Sequence, residues 1–305
     1  MSATRLVTHV RPRMGTLLAV TLPDRGSDLD RDLARIFSTA AAWERVMSAH
    51  EPTTPLARLN RRAGDAACVV SRALAMVVGL GRDLAARTDG AFDPTIAPLA
   101  TLWRRAARRG RPPSPRHLAR TRRLVDWRAV EIDASRVALR ARGMALDLGA
   151  LGKGVALDRI ARRLRRGGCR SALLNFGESS LVAIGRPPRG RWRVALRHPD
   201  GGCAGEFLLD DRACSTSATW GQTMRLGGAV LGHIVDPRTG RTLRRRAQVS
   251  VLAASATVAE AVSTALLVLG PRAMNRLARD FGIDACWIDR SGIRTTRGFA
   301  LRRSA

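Results

Sequence analysis

VSVLAASATVAEAVSTALLVL, residues Val249–Leu269, decides the fold class. Val249–Ala253 is short, apolar and rich in valine, which reads as a buried strand. Ser255 then offers a hydroxyl at a helix cap, and apolar residues continue at helical spacing from Thr257 to Leu269. Working outward, Pro271 starts a last helix and Ala285–Ile288 is a terminal strand. Upstream, Ala172–Asn175, Trp192–Leu196 and Glu206–Leu209 read as strands, and a helix runs from Gly154 to about Leu164. Val130–Ile132 and Val137–Leu139 make a hairpin around Asp133-Ala134-Ser135. Ser71 caps a helix through Ala86 that Thr88-Asp89-Gly90 ends, and Pro94 and Pro98 keep the next stretch irregular. His50–Pro55 is a loop. Ser27 or Asp28 caps a helix reaching Val46, and Leu17–Leu22 is a strand. Hairpin strands mixed with strand–helix units predict an α+β or mixed α/β fold.

The chain has 305 residues, 45% hydrophobic and 26% charged, with a mean hydropathy of −0.10. These values fit a soluble globular protein and exclude collagen-like, coiled-coil and wholly disordered classes. A net charge of +28 attracts polyanions. With aromatics at 4% and no tyrosine, a stacking platform for single-stranded nucleic acid is not expected. Residues 104–123, rich in Arg, Pro and Ser, read as a solvated insertion with a short helix. The five cysteines are odd in number and form no CxxC, so neither a zinc site nor a disulfide framework is expected. No signal peptide, lipidation box or membrane span is seen, which makes a cytoplasmic chain the simplest reading.

Among 53 basic residues there is one lysine, Lys153. The arginine excess reads as codon bias, under which a surviving lysine marks a place where a compact ammonium serves better than a planar guanidinium. It sits in Asp147-Leu-Gly-Ala-Leu-Gly-Lys153-Gly154 at the entry to a helix, where glycines and helix N–H groups admit an anion. The spacing is neither a P-loop nor a dinucleotide fingerprint. In Gly232-His233-Ile-Val-Asp236-Pro-Arg-Thr-Gly240 the histidine precedes an apolar pair that reads as strand, and a carboxylate three residues after His233 is placed to orient or charge the imidazole. Offsets of three and four put Glu260, Ser263 and Thr264 on one helix face. Their oxygens suit Mg²⁺, although spacing alone favours plain close packing on an Ala-rich helix.

In order along the chain, Met14-Gly-Thr16, Met47-Ser-Ala-His-Glu-Pro…Leu56-Ala-Arg-Leu-Asn60, Thr88-Asp-Gly-Ala-Phe-Asp-Pro-Thr95 and Met144-Ala-Leu-Asp-Leu-Gly-Ala-Leu-Gly-Lys-Gly154 are followed by Asn175-Phe-Gly177, Ser215-Thr-Ser217, His233-Ile-Val-Asp-Pro-Arg-Thr-Gly240 and Ala259-Glu…Ser263-Thr264. This succession resembles the ApbE family, the FAD:protein FMN transferases. The resemblance implies one flavin transferase domain over 1–305, with two lobes and an FAD cleft between them. It implies Mg²⁺-dependent transfer of FMN from FAD to a Thr or Ser hydroxyl of a target protein, with release of AMP. An FAD pyrophosphatase and a non-catalytic FAD-binding protein are the alternatives. By the family pattern Met14, His50, Ala91, Phe92, Asp93, Asp147, Lys153 and Ile234 contact FAD. The carbonyl of Ala150 joins Glu260, Ser263 and Thr264 around the metal, and His233 is the base. The chain departs from the pattern with Glu260 for Asp, Glu178 for Gly, Ala218 for Gly and His50 for an aromatic. Glu178 is thereby expected to bring a negative charge near the flavin.

Overall fold

The computed structural model describes residues 5–221 and 223–302; the side chains of Ser27 and Ala229 are also outside the described set. β1 (Leu6–Arg13) and β2 (Thr16–Pro23) form a hairpin. Met14 and Gly15 close it at φ 49° and 71°, the backbone that a two-residue turn between twisted strands requires. α1 (Ser27–Met47), α2 (Pro55–Arg61), β3 (Cys68–Val69) and α3 (Arg72–Arg87) follow. Then come α4 (Ala97–Arg108), α5 (Pro115–Arg122), β4 (Val130–Asp133), β5 (Arg136–Leu139) and α6 (Gly149–Arg166). β6 (Ser171–Phe176), β7 (Ser180–Gly185), β8 (Arg193–Arg197), β9 (Cys203–Leu208) and β10 (Ala213–Ala218) precede the β11 (Thr223–Leu226)–β12 (Ala229–Gly232) hairpin. The described chain closes with β13 (Ala247–Ala253), α7 (Ala256–Leu269), α8 (Met274–Phe281), β14 (Asp284–Asp289) and β15 (Gly292–Thr295).

Eight strands join in one antiparallel sheet, ordered β1-β2-β6-β7-β10-β13-β14-β15. Leu18, Val20 and Leu22 of β2 and Leu174 and Phe176 of β6 point to one face, where α1 and α6 cover them. Val249 and Val251 of β13 meet α7 on that same side. Leu181 and Ala183 of β7 face the other way, onto Trp192, Phe207 and Phe299 around the β8–β9 hairpin. Phe176 is fully buried, worth about 2–3 kcal/mol by area removed from water. A second core gathers α2, α3, the β3-β5-β4 sheet and the first turns of α6. The mixed α/β expectation holds.

Several local expectations change. β7 and β15 join the sheet unannounced, because β7 is buried on both faces and lacks alternation. Ala285–Ile288 is therefore not the terminal strand. Pro98 does not keep its stretch irregular; it opens α4 in the first turn, where no helical N–H is lost. Ser215-Thr-Ser217 lies within β10. Gly26 stands at the start of α1 with φ 62° and no side-chain cap; the Ser27 side chain named as a cap lies outside the described residues. Ser71 and Ser255 cap α3 and α7 as expected. No disulfide joins the five cysteines, and among the described residues no helix is long and apolar enough to cross a membrane.

Candidate active site

α6 begins at Gly149, five residues before the expected start, so the glycines around Lys153 lie inside a helix instead of a phosphate loop. Gly154 explains why. A Cβ there would stand 2.5 Å from the carbonyl oxygen of Ala256 and 2.7 Å from the Cα of Thr257. Only glycine lets the two backbones come this close. Asp158, one turn on, locks the contact. Its carboxylate accepts the N–H groups of Ala256 and Thr257 at 2.8 and 3.0 Å and the hydroxyls of Ser255 and Thr257 at 2.7 and 2.6 Å. An acid at the first turn of α7 is also favoured by the helix dipole.

This docking brings Lys153 and Glu260 together. Lys153 Nζ lies 3.0 Å from Glu260 Oε1, with Lys153 24% and Glu260 3% exposed. The Gly154 N–H donates to Glu260 Oε2 at 2.9 Å, and the Ser180 hydroxyl donates to Oε1. Three donors, one of them a cation, satisfy a carboxylate that burial would otherwise penalise heavily. One turn along α7, the Ser263 hydroxyl donates to the Glu260 carbonyl at 3.0 Å. Ser217 Oγ of β10 lies 2.8 Å from Ser263 Oγ and 3.4 Å from Thr264 Oγ1. Thr264 is one of only three α7 residues not buried, so this small polar cluster opens outward from an otherwise apolar helix.

The other expected site residues surround this pair in part. Met14 is held by its N–H on Glu44 Oε1 at 2.7 Å, and a Cβ on Gly152 would lie 3.8 Å from its Cε. Asp147 donates its N–H to Pro94 O at 2.7 Å and accepts that of Gly149 at 2.8 Å. Its segment is anchored by Asn60, whose side chain donates to Leu146 O at 3.0 Å and accepts Leu146 N–H at 2.8 Å. Ala91 and Phe92 are core residues, which leaves mainly backbone for a ligand. Asp93 is buried too. Its oxygens accept the N–H and hydroxyl of Thr95 and the N–H of Trp127, and burial pushes its carboxyl above the usual range against those bonds. Ile234 packs between two cores. His50 and His233 are exposed, and Ala150 is exposed in the first turn of α6.

One expectation is corrected. Ile234 and Val235 are not in a strand; they lead a turn held by the Val235–Thr242 bridge. Asp236 closes that turn on Arg238, through the backbone N–H at 2.9 Å and the guanidinium at 3.1 Å. Glu178 is exposed in the turn after β6. At φ 57° it turns outward and pairs with Arg197 at 3.0 Å. Ser180, Asp158 and Trp103, which donates from Nε1 to Gly240 O at 2.7 Å, were not singled out individually in the sequence, since their partners lie 80 to 137 residues away.

The donors at this place are carboxylate, hydroxyl and carbonyl oxygens, the set a hard divalent cation takes. Among the described residues no three of His, Cys, Asp and Glu gather as a softer site would need. The residues therefore fit Mg²⁺ in kind, on condition that Glu260 exchanges the Lys153 ammonium for the metal. A separate cavity of about 540 Å³ lies at Asn60, Arg61, Gly64, Asp65 and Arg142 and holds none of these groups.

The sequence pattern of the ApbE family matches residues 14–287. The chain belongs to the ApbE family. It is 31% identical over 298 residues to a Treponema pallidum protein named FAD:protein FMN transferase, covering 90% of this chain and 82% of that one. The Pseudomonas stutzeri flavinyl transferase ApbE superposes with a TM-score of 0.83 at 27% identity, over 96% and 94% of the two chains. An ApbE protein from Thermotoga maritima shares the fold at a TM-score of 0.85 and 23% identity, over 98% and 97%. Within this ApbE-family chain the matched segments are the ones that carry the Lys153–Glu260 contact and its supports.

Proposed function

We propose that this protein is an Mg²⁺-dependent transferase that moves FMN from FAD onto a Thr or Ser hydroxyl of a target protein and releases AMP. The observation that carries the reading is the lone lysine paired to a buried glutamate beside a hydroxyl cluster, in a chain of the ApbE family. The whole chain acts as one flavin transferase unit of two lobes, with 104–123 as an insertion, and it works in the cytoplasm.

Met14, Asp147, Ile234 and the backbone of Ala91, Phe92 and Asp93 hold FAD, with His50 against the flavin. The Ala150 carbonyl, Glu260, Ser263 and Thr264 hold Mg²⁺. Bound there, the metal supplies neutralisation of the diphosphate oxygens. Lys153 leaves Glu260 for the diphosphate and adds a second positive charge where negative charge grows. His233 takes the proton of the acceptor hydroxyl as its oxygen bonds to the FMN phosphorus. The bond from that phosphorus to the bridging oxygen breaks, and the oxygen leaves with AMP.

The test is incubation with FAD, Mg²⁺ and a Thr-bearing acceptor protein, followed by measurement of AMP, free FMN and acceptor mass. Equal amounts of AMP and FMN-modified acceptor are expected, and His233→Ala slows transfer far more than it weakens FAD binding. AMP with free FMN and unmodified acceptor means water is the acceptor and this is a pyrophosphatase. FAD binding with no AMP overturns both.

A further inference from the structure

The mechanism makes no use of the most lopsided charge in the molecule. Between Asp93 and Asp126 lie nine arginines and neither Asp nor Glu, the longest acid-free stretch of the chain. All nine are exposed. Arg104, Arg105, Arg108 and Arg109 stand on α4 and at its end, Arg116 and Arg120 on α5. Among the described residues none of the nine forms an ion pair, whereas Arg191, Arg193 and Arg212 elsewhere all sit on carboxylates. Codon bias explains arginine in place of lysine. It does not explain the exclusion of acids from two successive helices, which leaves their charges to repel one another.

The position of this hairpin is as telling as its charge. The opposite face of α4, through Leu99, Leu102, Trp103 and Ala106, packs on Val125 and Val235. Trp103 donates to Gly240 O at 2.7 Å, and Arg122 reaches Arg238 O at 3.3 Å. The basic helices are thus bolted to the turn that begins at His233. Gly227, at the tip of the hairpin that leads into His233, would bring a Cβ within 3.3 Å of Gly110 O in the α4–α5 connection. A single-stranded nucleic acid would ask for stacking groups on this surface, but the tryptophan of α4 is buried beneath it. A protein with a negatively charged segment is the partner that matches charge and leaves its hydroxyl beside His233.

We infer that the α4–α5 hairpin is the docking surface for an acidic segment of the acceptor protein. The inference rests on the transferase reading for the identity of the partner as a substrate. Docking through such a rim speeds encounter and fixes orientation more than it deepens affinity, and it weakens with salt.

The probes are a fluorescent Glu/Gly-repeat peptide with one Thr, its Lys/Gly counterpart, and a duplex DNA of matched charge, measured by anisotropy in about 0.15 M salt. The variants are the quadruple Arg104→Gln, Arg105→Gln, Arg108→Gln, Arg109→Gln, and an equal charge change at Arg162, Arg163, Arg166 and Arg170 around the far end of α6. Arg116→Gln with Arg120→Gln serves if the first variant does not fold. The hairpin variants are expected to lose about tenfold in Kd for the acidic peptide, and the α6 variant less than about twofold. FAD affinity in the absence of acceptor is expected to stay as in the wild type. Equal losses in the two quadruple variants mean the binding belongs to the diffuse field and overturn the inference, as does a hairpin loss seen with DNA and not with the peptide. If the wild type never releases AMP, the transferase reading fails by itself, and the anisotropy still decides whether the hairpin binds acidic protein.

Discussion

Glu260 is the residue on which the site turns. Its carboxylate is buried and held by Lys153, the Gly154 N–H and Ser180. Removing one partner of such a pair leaves an uncompensated charge, so Lys153→Met should destabilise the chain by about 3 kcal/mol. Adding Glu260→Gln should recover part of the loss, which denaturant midpoints of the four proteins in a double-mutant cycle measure. Additive losses mean the contact carries no energy. The single lysine among 53 basic residues was legible. Its partner was not, because the pair joins residues on two helices whose closeness no local pattern encodes. Asp93 makes a second residue-level prediction. Burial raises its carboxyl above 3.8 in the folded chain, so the folded state holds the proton longer than the unfolded state does. The stability that this proton linkage adds is full below the unfolded value and is lost as pH rises through the folded one. The stability of wild type relative to Asp93→Asn should therefore fall as pH is raised from about 4; a pH-independent gap in urea midpoints contradicts it.

Among the elements, the α6–α7 contact sets the geometry. Gly152 and Gly154 look alike in sequence and differ in space. A Cβ at Gly152 meets only methionine side chains, at 3.5 Å or more, while one at Gly154 collides with the α7 backbone. Gly152→Ala should raise the Tm, since alanine favours helix by about 1 kcal/mol. Gly154→Ala should lower it by the equivalent of about 2–3 kcal/mol despite the same propensity gain. Similar shifts in both would mean the helices are not held by close approach. Asp158→Ala should cost about 2 kcal/mol, as a cap with four donors left unmet, and thermal melts again report it. Helices with a sequence cap, such as those after Ser71 and Ser255, were legible. The start of α6 was missed because glycine reads as loop, whereas Gly154 is there for close packing on α7. β7 was missed because a strand covered on both faces shows no alternation.

At the scale of the whole molecule, the mixed α/β class was legible from strand–helix units, while the strand order was not. β2, from the first two dozen residues, pairs with β6, and α7 from near the far end docks on α6. Such closures depend on long-range burial, which sequence periodicity does not report. The motifs that seemed scattered serve this closure. Glu44 fixes Met14, Asn60 fixes Leu146, and Asp147 is tied to Pro94, so segments distant in sequence are held together. The most direct measurement is AMP formed from FAD in the presence of a Thr-bearing acceptor protein by the wild type with Mg²⁺, by the wild type with EDTA, and by Glu260→Gln with Mg²⁺. AMP should accumulate in the first and be at least about 100-fold slower in the other two; equal rates in all three would contradict the account.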